Sequence, residues 1–167
     1  MSNRDTNDHP TARQATLELT RSDIGFAAAH FSILEGRSER LHGHNYRVSL
    51  RAQGAVREDG TVLDFSVLKQ ALRGACAELD ERMLVPTESP ELQVRETRGE
   101  IEVEVRMQSR RFVFPQADVR LLPIVNTSCE CLAEYLLGVV RAGLGDQPLR
   151  LEVRVEESPG QGASAAE

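Results

Sequence analysis

The sequence predicts an α+β domain, an antiparallel sheet with two helices on one face. Runs of strictly alternating apolar and polar residues stand near both ends of the chain. Two stretches carry apolar residues at helical spacing instead. Between those stretches, residues 87–124 hold another alternating run bounded by turn residues. The resulting order is strand, strand, helix, small meander, helix, strand.

Residues 1–13 read as a disordered tail rich in Asn, Asp, Arg and Thr, and His9 falls in it. From Ala15 to Phe31 the pattern is that of a strand. Leu17 and Leu19 alternate with Thr16, Glu18 and Thr20, and His30 lies near its end. Ser32 to Arg40 is a loop containing Gly36. A second strand runs from Asn45 to Val56, with Tyr46, Val48 and Leu50 alternating against Arg47, Ser49 and Arg51. Asp64 is an N-cap for a helix from Phe65 to about Asp80, and Phe65, Leu68, Leu72, Ala75, Cys76 and Leu79 form its apolar stripe. Cys76, on that stripe, reads as a small core residue.

Within 87–124, Ile101, Val103, Val105 and Met107 alternate with Glu102, Glu104, Arg106 and Gln108. A meander over 91–96, 100–107 and 110–114 follows. Thr127 and Glu130 fit a capping box that opens a helix to about Arg141, ended by Gly143 and Gly145. Cys129 and Cys131, two apart on that helix, read as packing residues. Leu149 to Glu156 is the last strand, and 159–167 a flexible Gly/Ala/Ser tail. Residues 14–158 thus form one domain.

A length of 167 residues suffices for one domain with a real core. The formal charge of −6, no Trp and only two Tyr argue against nucleic acid as a partner. No apolar run approaches the roughly 20 residues that span a membrane. Met1 to Ala12 lacks the basic and apolar regions of a signal peptide. The three cysteines show no C-x-x-C spacing, which fits a reducing cytoplasm.

Leu41-His42-Gly43-His44-Asn45-Tyr46 is the densest chemical feature. Histidines two apart share a face of an extended segment. Antiparallel pairing of the two strands would bring His30 beside them. Three imidazoles with an open fourth position are the catalytic arrangement for zinc, whereas structural zinc takes four protein ligands and usually cysteine. On residues alone the choice lies between a metal site and ordinary hydrogen-bonded histidines, with the metal favoured.

Several segments, in this order, resemble one family. They are Phe26-x-Ala28-Ala29-His30, His42-Gly43-His44-x-Tyr46, Asp64-Phe65, Leu79-Asp80, a Thr/Ser-rich helix start with Glu130, and Val155-x-Glu157-Ser158. They are similar to the 6-pyruvoyltetrahydropterin synthase / 6-carboxytetrahydropterin synthase family over about residues 15–160, with 87–124 inserted relative to shorter members. The resemblance implies a tunnelling fold assembled as homotrimers or homohexamers, with sites at subunit interfaces. It implies zinc held by His30, His42 and His44, and a small-molecule pterin anchored by Glu157. Thr127 and Ser128, at the helix start, are its further implied substrate contacts. A carboxylate suits the anchoring role because it accepts two parallel N–H bonds from the pterin edge.

The chain departs from that family twice. The cysteine that precedes H-G-H and acts as the base is absent, and the loop reads Glu35-Gly36-Arg37-Ser38-Glu39-Arg40-Leu41. Glu81 follows Asp80 where the family has a histidine. Glu39-x-x-His42-Gly43-His44 resembles the variant with glutamate in place of the cysteine, found in members that make 6-hydroxymethyl-7,8-dihydropterin for folate-type cofactors. This gives a zinc-dependent lyase acting on 7,8-dihydroneopterin triphosphate or a close relative, with Glu39 as base and Asp80 or Glu81 returning a proton. Glu35 is a second candidate base. The alternatives are a 6-carboxytetrahydropterin synthase of the queuosine route and a non-catalytic pterin-binding homologue.

Overall fold

The computed structural model describes residues 13–167. His9 and the expected N-terminal tail lie outside the described residues, except Arg13, whose carbonyl accepts a hydrogen bond from the Val56 N–H (2.7 Å). The expected first strand is two strands, β1 (Gln14–Leu19) and β2 (Gly25–His30). A turn divides them, closed by Ile24 N–H to Arg21 O (3.2 Å). A short hairpin follows, β3 (Ile33–Leu34) and β4 (Arg37–Ser38). Its two turn residues, Glu35 and Gly36, have φ of 50° and 75°, the left-handed pair that a tight hairpin requires. Next come β5 (His42–Ala55), α1 (Phe65–Ala77) and β6 (Arg82–Pro86). The meander is β7 (Leu92–Thr97), β8 (Glu100–Val105) and β9 (Arg110–Pro115), close to its expected bounds. β10 (Val119–Leu122), α2 (Cys129–Leu144), β11 (Arg150–Ser158) and β12 (Gln161–Ala166) complete the chain.

The main sheet has the order β10-β6-β2-β5-β11-β12, and β1 also pairs with the far half of the long β5. Most pairings are antiparallel, as expected. β6 lies parallel to both β2 and β10, so the sheet is mixed. Strand alternation then sorts the side chains. Phe26, Ala28, Tyr46, Val48, Leu84, Leu122, Val153 and Val155 form one core with the apolar stripes of α1 and α2. Leu68, Leu72, Leu132 and Leu136 are fully buried there, and each such burial contributes about 1.5–3 kcal/mol. Phe65, expected on the stripe, is exposed at the start of α1. Cys76 is buried, and burial pushes its thiol up to about 12, as suits an inert core residue. The opposite face of the sheet, through Phe31, Met83 and Val85, packs against Leu92, Ile101, Val103 and Val105 of the meander. The three-stranded meander is therefore a third layer over the β2–β6–β10 side, while β10, at the end of the same 87–124 stretch, extends the main sheet beside β6.

The C-terminal tail expectation is corrected. β12 pairs antiparallel with β11 from Glu152↔Ala166 to Ser158↔Gln161. Gly, Ala and Ser have little intrinsic strand preference, so the sequence pattern hides it. A side chain on Gly162 would meet the Val155 carbonyl oxygen at 2.2 Å, so this edge requires glycine. No helix among the described residues is long and apolar enough to cross a membrane.

Candidate metal centre and its cavity

β2 and β5 set the site. Their register pairs His30 with His42 and Ala28 with His44, as the sequence predicts. His30, His42 and His44 share the helix-side face with Tyr46. One nitrogen from each of the three rings lies within 4.8 Å of the others. Ring centroids are 4.6 Å (His30–His42), 5.3 Å (His30–His44) and 4.9 Å (His42–His44) apart. Gly43, between the two β5 histidines, serves the strands. A Cβ there would stand 2.8 Å from the Ala28 carbonyl oxygen, so glycine lets β2 and β5 approach where the ligands meet.

The hydrogen bonds around the rings fit a metal. The His42 Nδ1 lies 2.7 Å from the Arg40 carbonyl oxygen. A carbonyl only accepts, so Nδ1 carries the proton and Nε2 presents a lone pair. The Thr127 hydroxyl donates to the Phe31 carbonyl (2.9 Å) and stands 3.2 Å from His30 Nδ1. With its proton committed, Thr127 accepts from His30 Nδ1–H. His30 Nε2 is left buried with no hydrogen-bond partner, an orphan of the kind that a metal ion would satisfy. Burial, reinforced by His42 and His44, pulls the His30 pKa down to about 4, so the ring is neutral and ready to ligate at neutral pH. These three residues could hold a metal ion.

A cavity of about 370 Å³ opens over the triad. Glu39, Ser128, Cys129, Glu130 and Glu157 line it along with the histidines. Glu157 shares the helix-side face of β11 with Val153 and Val155, and its Oε2 lies 4.0 Å from His44 Nε2. The Cys129 thiol donates to the same Oε2 (3.8 Å). Burial, with Glu157 beside it, raises that thiol to about 11, so it is protonated and cannot replace the missing basic cysteine. Packing does not exhaust the role of Cys129, contrary to the sequence reading, although it also touches the core.

Four expected site residues sit elsewhere. Thr127 is fully buried and does not line the cavity. It is not the helix cap either. Ser128 caps α2, accepting from Cys131 N–H (3.5 Å), while Thr127 holds His30. Asp80 Oδ1 accepts from Ala27 N–H (2.7 Å). Glu81 lines a different cavity, one that reaches His44 from the other side, with Ala27, Ala29, Gly43 and Phe114. Neither carboxylate borders the triad cavity. Glu35 is exposed at the β3–β4 turn, away from that cavity.

Replacing Thr127 by valine removes the acceptor for His30 Nδ1–H at nearly constant volume. The affinity of the triad for a divalent metal ion, measured by chelator competition, is expected to fall about tenfold or more. Serine at this position is expected to retain it.

The family model described as 6-pyruvoyl tetrahydropterin synthase matches residues 18–167. A Methanocaldococcus jannaschii protein with the provisional name 6-carboxy-5,6,7,8-tetrahydropterin synthase is 30% identical over 154 residues, covering 88% of this chain and 93% of that one. The crystal structure of 6-pyruvoyl tetrahydropterin synthase from Plasmodium vivax is 32% identical, covers 93% of this chain and 98% of that chain, and superposes with a TM-score of 0.88. Further structures of that enzyme carry alanine or cysteine in place of a catalytic glutamate. The Caenorhabditis elegans enzyme, at 19% identity and a TM-score of 0.62, shares the fold. The chain belongs to the 6-pyruvoyl tetrahydropterin synthase family, whose members carry out steps of pterin biosynthesis.

Proposed function

We propose that the chain is a zinc-dependent lyase that cleaves the side chain of 7,8-dihydroneopterin triphosphate, or a close relative, to 6-hydroxymethyl-7,8-dihydropterin. The observation that carries this reading is Glu39 lining the cavity beside His30, His42 and His44, in a chain with no cysteine before His42. The catalytic glutamate of the similar Plasmodium vivax enzyme supports it.

His30, His42 and His44 would hold the zinc, which when bound supplies Lewis-acid polarisation of side-chain hydroxyls. Glu157 accepts N–H bonds from the pterin edge and fixes the ring, with Ser128 at the mouth of α2. Glu39 takes the proton of the second side-chain hydroxyl. That oxygen becomes the carbonyl of the departing fragment as the carbon–carbon bond breaks. The electron pair moves into the pterin ring, and a second carboxyl group then delivers a proton to the side-chain carbon left on the ring, which becomes the hydroxymethyl group. Asp80 and Glu81, which do not line the triad cavity of their own chain, take that role from a second copy in a homotrimer or homohexamer. An assembly larger than a monomer by light scattering is part of this reading.

The names of the archaeal relatives favour 6-carboxytetrahydropterin as the second product to test. Incubation of purified protein with the triphosphate, followed by mass spectrometry, separates the two. Formation of the 6-carboxy product alone would reject the preferred reaction. Protein purified without chelators is expected to carry one zinc per chain. At free zinc about 100-fold above Kd, binding adds about 2.7 kcal/mol of stability, so a chelator is expected to lower Tm measurably.

A further inference from the structure

The loop that carries Glu39 is tied to the inserted meander by a set of hydrogen bonds that the proposed chemistry does not itself require. Arg110, first residue of β9, directs one guanidinium nitrogen, Nη1, at this loop. It donates to Ser38 Oγ (2.9 Å) and to the Glu39 carbonyl (2.9 Å), with the Ser38 carbonyl at 3.5 Å. Gln108 adds a second tie. Its Oε1 accepts from both the Ser38 N–H (2.9 Å) and the Ser38 hydroxyl (2.7 Å). Ser38 is buried, so these bonds are not exchanged freely with water. On its other side, Glu39 N–H donates to the Ser32 carbonyl (2.9 Å) in the link between β2 and β3. The peptide groups of Glu39 are thus held from the β2–β3 link and from the meander, while Glu39 lines the triad cavity.

The meander is built to deliver these two side chains. Ser109 takes a left-handed conformation (φ 49°) between them, turning the short helical turn Arg106–Gln108 into β9. The Arg110 guanidinium stacks on Phe112, with Cζ 4.9 Å from the ring centroid. Phe112 in turn stacks on Phe31 at 5.0 Å. Phe31 follows His30 in the chain and points to the opposite face of the sheet. One rigid layer therefore braces both the strand end bearing the first metal ligand and the loop bearing the base.

We propose that Arg110, seconded by Gln108, is a positioning residue for Glu39, and that aligning this carboxylate over the metal centre is the function of the 87–124 insertion. The inference rests on the reading of Glu39 as the base. An ångström-scale misplacement of a reacting group costs up to about 10²-fold in rate, which is the size of effect available to such a clamp.

The test compares zinc-loaded wild type with Arg110→Met, Arg110→Lys, Gln108→Met and Glu39→Gln. Arg110→Met is expected to lower kcat about 10–50-fold, with KM and zinc per chain unchanged. Arg110→Lys is expected to recover only part of the rate, because an ammonium replaces the donors to the loop but not the guanidinium stack on Phe112. In the pterin-free protein, hydrogen exchange of the backbone amides over 36–41 is expected to accelerate in Arg110→Met and Gln108→Met, with β5 unchanged. Should Arg110→Met fold poorly, Gln108→Met and Arg110→Lys carry the comparison. Turnover within twofold of wild type in Arg110→Met and Gln108→Met, beside an inactive Glu39→Gln, overturns the positioning role alone. An active Glu39→Gln overturns the base reading and the clamp with it.

Discussion

Glutamine in place of Glu39 is expected to lower turnover of the dihydropterin about 10²–10⁴-fold, the range of a positioned general base. Metal content and pterin binding are expected to stay unchanged, because glutamine preserves size and Glu39 makes its loop contacts through the backbone. The effect is large because the neighbours are otherwise engaged, Glu157 by Cys129 and, in the proposed complex, by the pterin edge. Ser38 is engaged by Gln108 and Arg110. The Cys129 thiol is protonated, raised by burial. Glu130 lines the cavity, but its own backbone N–H at the start of α2, together with Ser128, holds its carboxyl below the usual range and makes it a weaker base. Single-turnover kinetics on metal-assayed protein measures the loss. Retention of more than about a tenth of the wild-type rate would remove Glu39 from the mechanism.

How far the sequence reached depended on whether side-chain chemistry or tertiary contact decided the structure. The alternation in Ile101–Val105 and the helical stripe in Leu68–Cys76 are local consequences of burial on one face, and both elements lie close to where the pattern puts them. The histidine triad was legible because its three residues need only one strand pairing to meet. β12 was not, because Gly162, Ala163 and Ala165 carry no strand signal of their own and are ordered by β11 beside them. Thr127 illustrates the other limit. A Thr three residues before a Glu at a helix start satisfies the capping pattern, yet Ser128 is the next residue and caps equally well. Which hydroxyl turns to the helix and which to His30 is decided by Phe31 and His30, 96 and 97 residues away in the chain. The ties from Gln108 and Arg110 to Ser38 are likewise contacts between distant segments, with no periodic trace in either.

Glu157 separates binding from chemistry, and its replacement is expected to be the mirror image of the Glu39 result. Its carboxylate stands at the end of β11, on the face that carries Val153 and Val155 into the core, so its place is fixed by a strand and not by a loop. One oxygen already accepts from Cys129, which orients the group and leaves its remaining lone pairs for the N–H edge of a pterin. Glutamine at 157 would substitute an NH2 donor for one of two acceptors. It would set that donor against the ligand's N–H or against the Cys129 thiol. Losing one side of a buried, hydrogen-bonded charged contact costs about 2–5 kcal/mol, so the Kd for a dihydropterin is expected to rise about 10²–10³-fold. Turnover at saturating substrate is expected to fall far less than in Glu39→Gln. Zinc stoichiometry is expected to hold, since Glu157 stands 4.0 Å from His44 Nε2 and is not one of the three ligands. Calorimetric titration with a pterin on zinc-loaded protein measures the first quantity and initial rates the second. A Kd unchanged in Glu157→Gln would mean that the ring is anchored elsewhere, and the cavity assignment would fall with it.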